Sequence, residues 1–160
     1  MEQTIKKNLE HPRLVVNPFV IYLGFLALAA LLQFVVPLPV FISLKAARIA
    51  GAGIMIVSFI FGLPALRLMF KAGTSPNPGR PTTALVLAGP YRFTRNPMYL
   101  GLACIYAGLI VFLRLPWGLL FLPLLVWLIT AWVIRPEEQY LQKQFGDEYT
   151  RFKEAVRRWI

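Results

Sequence analysis

Two short polar stretches carry the residues best suited to chemistry: Gly89-Pro-Tyr-Arg-Phe-Thr-Arg-Asn-Pro-Met-Tyr-Leu-Gly101 and Arg135-Pro-Glu-Glu-Gln-Tyr-Leu141. The first holds Arg92 and Arg95 with the phenols of Tyr91 and Tyr99. The second holds Arg135 and the adjacent carboxylates Glu137 and Glu138. Arginines favour a carboxylate or phosphate, glutamates an ammonium or sulfonium, and ring faces between them add a cation–π surface. If the fold joins the two stretches, the result suits a zwitterionic or charge-separated ligand.

The elements that must position them are apolar runs long enough to cross a bilayer. Pro97 to Leu113 is 17 residues and Trp117 to Ile134 is 18, joined tightly at Arg114-Leu115-Pro116. At about 1.5 Å per residue each run spans roughly 25–27 Å, close to the hydrocarbon thickness. Down and back returns Arg135 to the face where Pro97 starts. Asn96-Pro97 reads as N-cap and N1, so the third span turns its positive dipole end toward Arg92 and Arg95. The fourth span would turn its negative end toward Glu137 and Glu138.

Two further runs precede this hairpin, about 17–36 and about 46–70, giving an all-α integral membrane protein of four spans in a single domain, 1–160. Hydrophobic residues make up 58% of the chain, and its mean hydropathy is +0.61, values that a soluble domain of this size has no use for. Lys6, Lys7 and Arg13 precede the first run as in a signal peptide, yet apolar sequence continues past Ala27-Leu-Ala29 to Val36, as in a retained anchor. In the second run Ser58 and Gly62 have the small-xxx-small spacing of close helix packing, and Pro64 is placed to kink it.

The net charge of +10 points to a membrane surface rather than nucleic acid, because of where it lies. Thirteen basic residues fall on the side shared by both termini and the 71–96 loop; Lys45, Arg48 and Arg114 fall on the other. That bias places both termini in the cytoplasm, and the short length suits a prokaryotic inner membrane. All seven acidic residues share the cytoplasmic side. Cys104 is the single cysteine and His11 the single histidine, which leaves neither a disulfide framework nor a metal centre to build.

The 71–96 loop is Pro-rich and stiff, and it runs straight into the arginine motif. It is either a linker or a wall of the site. After Pro136 the tail reads as two interfacial helices: Leu141, Phe145, Tyr149, Phe152 and Val156 form an apolar stripe, with Gly146 as a stop and Asp147 as an N-cap. Gly101, Cys104 and Gly108 leave a small-residue groove down the third span for a partner helix or an acyl chain. Taken singly, the arginines read as headgroup anchors and the glutamates as solvated charges.

Together, Arg95-Asn-Pro-Met-Tyr-Leu-Gly101, Gly89-Pro-Tyr-Arg92, Glu137-Glu-x-x-Leu141 and Phe145-Gly-Asp-Glu-Tyr149 resemble the isoprenylcysteine carboxyl methyltransferase-like family, which includes phospholipid methyltransferases. The resemblance covers roughly 74–160. It implies methyl transfer from S-adenosylmethionine to a membrane-embedded, lipid-like acceptor at the cytosolic face. It further implies that Arg95, Asn96, Pro97, Tyr99, Leu100 and Gly101 line the cofactor pocket with Tyr91, and that Glu137 and Glu138 contact the cofactor. Arg135 would orient an acceptor carboxylate. Methylation of a carboxylate needs no base; an amine or hydroxyl acceptor would use Glu138 as proton acceptor. Asn96 stands where the eukaryotic prenylcysteine enzymes carry His, which points away from a prenylcysteine acceptor. No Gly-x-Gly-x-x-Gly occurs, so a Rossmann-type site is not expected. The rival readings are an NADPH-dependent membrane reductase of steroid-reductase-like layout and a non-enzymatic membrane scaffold.

Overall fold

Local punctuation explains where each helix begins. Asn17 caps the first: its side chain accepts from the Phe19 N–H at 3.0 Å, and Pro18 takes the position where a missing N–H costs nothing. Ser43 caps the second by accepting from the Ala46 N–H at 3.2 Å. The computed structural model describes residues 16–77 and 80–160, and among these it is helical with no strand. His11 and the basic residues of the N-terminal tail lie outside the described residues.

The elements are α1 (Pro18–Val35), α2 (Leu44–Lys71), a 3-10 turn (Gly89–Arg92), α3 (Pro97–Phe112), α4 (Pro116–Ile129), a π-helical segment (Thr130–Ile134), α5 (Arg135–Phe145) and α6 (Asp147–Ala155). Three helices are long and apolar enough to cross a membrane: α1, α2 and the continuous helix Pro116–Phe145. The helix α3, with 16 residues, is apolar but shorter. Large side chains such as Phe34, Phe59 and Trp127 stand exposed along these helices, a surface that water would not tolerate and lipid does.

The helix α3 packs on α2 almost backbone to backbone. A Cβ on Gly108 would lie 2.7 Å from the Gly51 carbonyl oxygen, and one on Gly51 would lie 2.6 Å from the Phe112 nitrogen. Gly101 faces Ser58 and Gly62 in the same way, at 3.3 Å and 3.5 Å. Of the two occupants expected for the groove at Gly101, Cys104 and Gly108, the partner helix is the one found: α2 closes it at Gly108 and lies against Gly101. The small-xxx-small pair Ser58 and Gly62 serves the close packing its spacing predicts. On the other side, α1 lies against α4: Phe25 meets Phe121 edge to face, and the Trp117 indole donates to the Val36 carbonyl at 2.9 Å.

The tail differs from expectation at Pro136. The fourth helix does not stop there but continues from α4 into α5. Proline removes one N–H, and the π-helical segment absorbs the mismatch, with the Arg135 N–H donating to the Thr130 carbonyl. No helix C-terminus faces Glu137 and Glu138, so the negative pole at this end is the carboxylates alone. A break comes at Gly146, at φ +54°, and Asp147 is the first residue of α6 rather than its cap.

Candidate active site

Two connections close the polar end. The apolar stripe of the tail buries Tyr149 and Phe152 against Ala65 and Met69 of α2 and Tyr91 of the 3-10 turn, with Leu85, Val86 and Leu141 packed around them. The Pro-rich loop is a wall, not a free linker: the Thr82 N–H donates to the Tyr140 hydroxyl at 3.0 Å, and Thr83 bonds back to Thr74 and to the Gly73 carbonyl. Burial raises the pKa of the Tyr91 and Tyr149 phenols, so both remain neutral hydroxyls.

The segment after α6 then crosses the arginine motif. The Arg95 N–H donates to the Arg157 carbonyl at 3.0 Å. Both the Thr94 hydroxyl (3.0 Å) and the Asn96 amide (2.9 Å) donate to the Arg158 carbonyl. Asn96 is at the N-cap position of α3 but makes no side-chain cap, since its side chain holds the tail. The Trp159 indole donates to the Thr130 hydroxyl at 3.1 Å, on the π-helical segment.

Within this frame lies a cavity of about 60 Å³ lined by Tyr91, Arg95, Asn96, Pro97, Tyr99, Glu137 and Glu138, together with Met98, Tyr149 and the loop residues Thr82 and Ala84–Val86. Seven of the residues singled out from the sequence thus share one cavity. Three do not line it. Leu100, next to Tyr99 in the first turn of α3, is not part of the lining, and Gly101 faces α2 and a neighbouring groove. Arg135 is exposed at the head of α5. Arg92 is exposed as well.

The charges are arranged asymmetrically. Arg158 grips Glu138 in a two-point contact, Nε to Oε1 at 3.0 Å and Nη2 to Oε2 at 2.8 Å. That hydrogen-bonded pairing raises the Arg158 pKa and keeps its guanidinium charged. Arg95 Nη2 stands off at 3.5 Å from Glu138 Oε1, with the Arg95 side chain only 9% exposed. Its Nε and Nη1 are buried and make no hydrogen bond among the described residues, and Tyr149 lies beside its guanidinium. Glu137 accepts from the Tyr99 hydroxyl at Oε2, 2.8 Å away, which leaves Oε1 open. Sequence reasoning passed over Thr94 and Arg158. Their signal was weak, because a backbone carbonyl as the meeting point has no residue type to betray it.

Met98 and Tyr99 also wall a second, mostly apolar groove of about 770 Å³ between α1, α2 and α3, edged by Phe19, Phe59, Leu63, Leu66 and Leu102. A cavity that holds charged side chains and an apolar groove, sharing the two side chains Met98 and Tyr99, suit a reaction on the head of an amphiphile. Among the described residues no cluster of His, Cys, Asp or Glu is able to hold a metal ion.

The profile of the phospholipid methyltransferase family matches residues 46–148, well over half of the chain. The chain belongs to this family. The matched span takes in α2, the loop wall, the arginine motif, both glutamates and the start of α6. The protein is therefore an integral membrane methyltransferase that acts, in the family's general sense, on membrane lipids. An uncharacterized protein of Haemophilus influenzae is 38% identical to the methyltransferase over 63 residues, which is 39% of this chain and 79% of the relative. No solved structure matches it.

Proposed function

We propose that the protein moves the methyl group of S-adenosylmethionine to the polar head of a membrane-embedded amphiphile, at the cytosolic membrane face. The observation that carries this reading is Arg95: two buried guanidinium donors with no hydrogen bond among the described residues, in a cavity that Glu137 also lines. A buried donor without a partner costs about 1–3 kcal/mol, so the site is built for an anion it does not itself supply. The cofactor's amino-acid carboxylate matches those donors. Its sulfonium matches the ring faces of Tyr91 and Tyr99, beside the negative charge of Glu137.

The donor set fits this cofactor, whose adenosyl end reaches past the 60 Å³ space or displaces a wall on binding. The loop wall at 82–86, tied to α5 through the Thr82 N–H, is the one we assign to that movement.

When bound, the cofactor supplies an electrophilic methyl on sulfur, whose displacement leaves a neutral thioether. The chain's own groups exclude water, through Tyr149, Phe152 and Leu85. A carboxylate acceptor needs no proton removed. For an amine head, the proton released as the new C–N bond forms passes to Glu137 Oε1. Glu138 is the poorer acceptor, since Arg158 engages both of its oxygens. Arg135, exposed beside the site, is suited to an anionic group on the acceptor head.

Calorimetry on detergent-purified protein with S-adenosylhomocysteine and with NADP tests the reading. Binding of the first alone supports it, binding of NADP alone would favour the reductase layout, and binding of neither would favour a scaffold. Transfer of labelled methyl into extracted membrane lipid then identifies the acceptor class.

A further inference from the structure

The three charges Arg158, Glu138 and Arg95 form a chain of unequal links. Arg158 has close, two-point geometry on Glu138, at 2.8 Å and 3.0 Å. Arg95 is 3.5 Å away, beyond the 2.7–2.9 Å of a charge-assisted hydrogen bond. Both links draw on one carboxylate whose side chain is 11% exposed. A buried carboxylate with no other partner would close on the nearest guanidinium, and a fork-to-fork pair would use up the donors of Arg95. What prevents this is the stronger claim of Arg158.

We propose that Arg158 is a positioning residue: by engaging Glu138 it keeps the Arg95 Nε and Nη1 donors free for the anionic end of the ligand. The proposal rests on the reading of the cavity as a site for an adenosyl amino acid. Arg158 itself does not line the cavity and acts only through Glu138. Its main chain is anchored independently of its side chain, through the Thr94 and Asn96 bonds to its carbonyl and the Trp159 bond to Thr130. Truncating the guanidinium therefore leaves the segment in place, and the folded protein can be assayed.

The test compares two ligands in calorimetry on the full chain. S-Adenosylhomocysteine carries the amino-acid carboxylate; 5′-methylthioadenosine keeps the nucleoside and thioether but lacks it. R158A is expected to weaken the first by about tenfold to a hundredfold, the range for losing contacts to a charged group, and to leave the second unchanged. Adding E138Q to R158A removes the carboxylate that captures Arg95, so the double variant is expected to bind S-adenosylhomocysteine more tightly than R158A alone. R158K, a single-point donor, should fall between wild type and R158A. Equal losses for both ligands, or a double variant weaker than R158A, would overturn the proposal and leave Arg158 a structural tie. If the wild-type protein binds 5′-methylthioadenosine as tightly as S-adenosylhomocysteine, Arg95 takes no carboxylate and the cofactor reading fails first.

Discussion

The Tyr99 hydroxyl donates to Glu137 Oε2 at 2.8 Å, tying the first turn of α3 to the first turn of α5. One oxygen of Glu137 is thereby fixed and the other faces an unfilled role. For an amine acceptor, Glu137→Gln is expected to lower turnover at least tenfold, because an amide takes no proton. Tyr99→Phe removes one hydrogen bond to a charged group, worth about 1.5–3 kcal/mol, and should cost less than Glu137→Gln. Glu148→Gln, on the exposed face of α6, should change nothing. Labelled-methyl incorporation in vesicles reads all three, and equal, small effects would return Glu137 to a solvated surface charge.

The α2–α3 seam gives a prediction about stability. A Cβ at position 108 would meet Met55 Cγ at 2.4 Å and the Gly51 carbonyl oxygen at 2.7 Å. Gly108→Ala and Gly51→Ala should therefore destabilise the fold by about 1–3 kcal/mol, as overpacking does. Gly53 has nothing within 4 Å of its would-be Cβ, and Gly53→Ala should be neutral or stabilising. Thermal unfolding in detergent separates the two sites; a drop at position 53 equal to that at 108 would refute the seam.

Cofactor exchange should respond to Tyr140. Its hydroxyl, accepting from the Thr82 N–H at 3.0 Å, fastens the loop wall to α5. Tyr140→Phe gives up about 1 kcal/mol of hydrogen bonding, which corresponds to several-fold faster release of S-adenosylhomocysteine in stopped-flow measurements. Unchanged release would mean that another wall admits the ligand.

Reporter fusions test the orientation. From thirteen basic residues against three, Ile160 is expected in the cytoplasm and Lys45 on the far side. Fusions at the two positions should report opposite sides. A shared side would undo the four-span arrangement, including the crossing assigned to the short α3.

Much of this fold was legible because its signals are local. The Arg114-Leu115-Pro116 turn marks helix boundaries by residue type alone, and Tyr149 and Phe152 sit in the stripe their spacing describes. Two features were not legible for physical reasons. Pro136 normally ends a helix, and only the π-helical geometry upstream, which leaves no trace in composition, lets it sit within one. Gly101 and Gly108 are as compatible with a ligand groove as with a helix seam, and the choice rests on α2, whose Gly62 and Gly51 reach them from 39 and 57 residues away in sequence. The motif residues Arg95, Glu137 and Glu138 could be paired from sequence. That Arg158 would divide their roles could not, since it depends on which guanidinium comes nearer.

The continuity of the helix Pro116–Phe145 has a consequence for where the enzyme works. Glu137 stands 21 residues beyond Pro116, a rise of about 32 Å along the helix, against a hydrocarbon layer of about 30 Å. The height of the carboxylates relative to the lipid headgroups is thus set by a rigid length rather than by a flexible tail. In a thinner bilayer the site rides above the headgroups, and in a thicker one it sinks toward the acyl chains or the helix tilts. Membrane thickness becomes a control on how well acceptor and site meet.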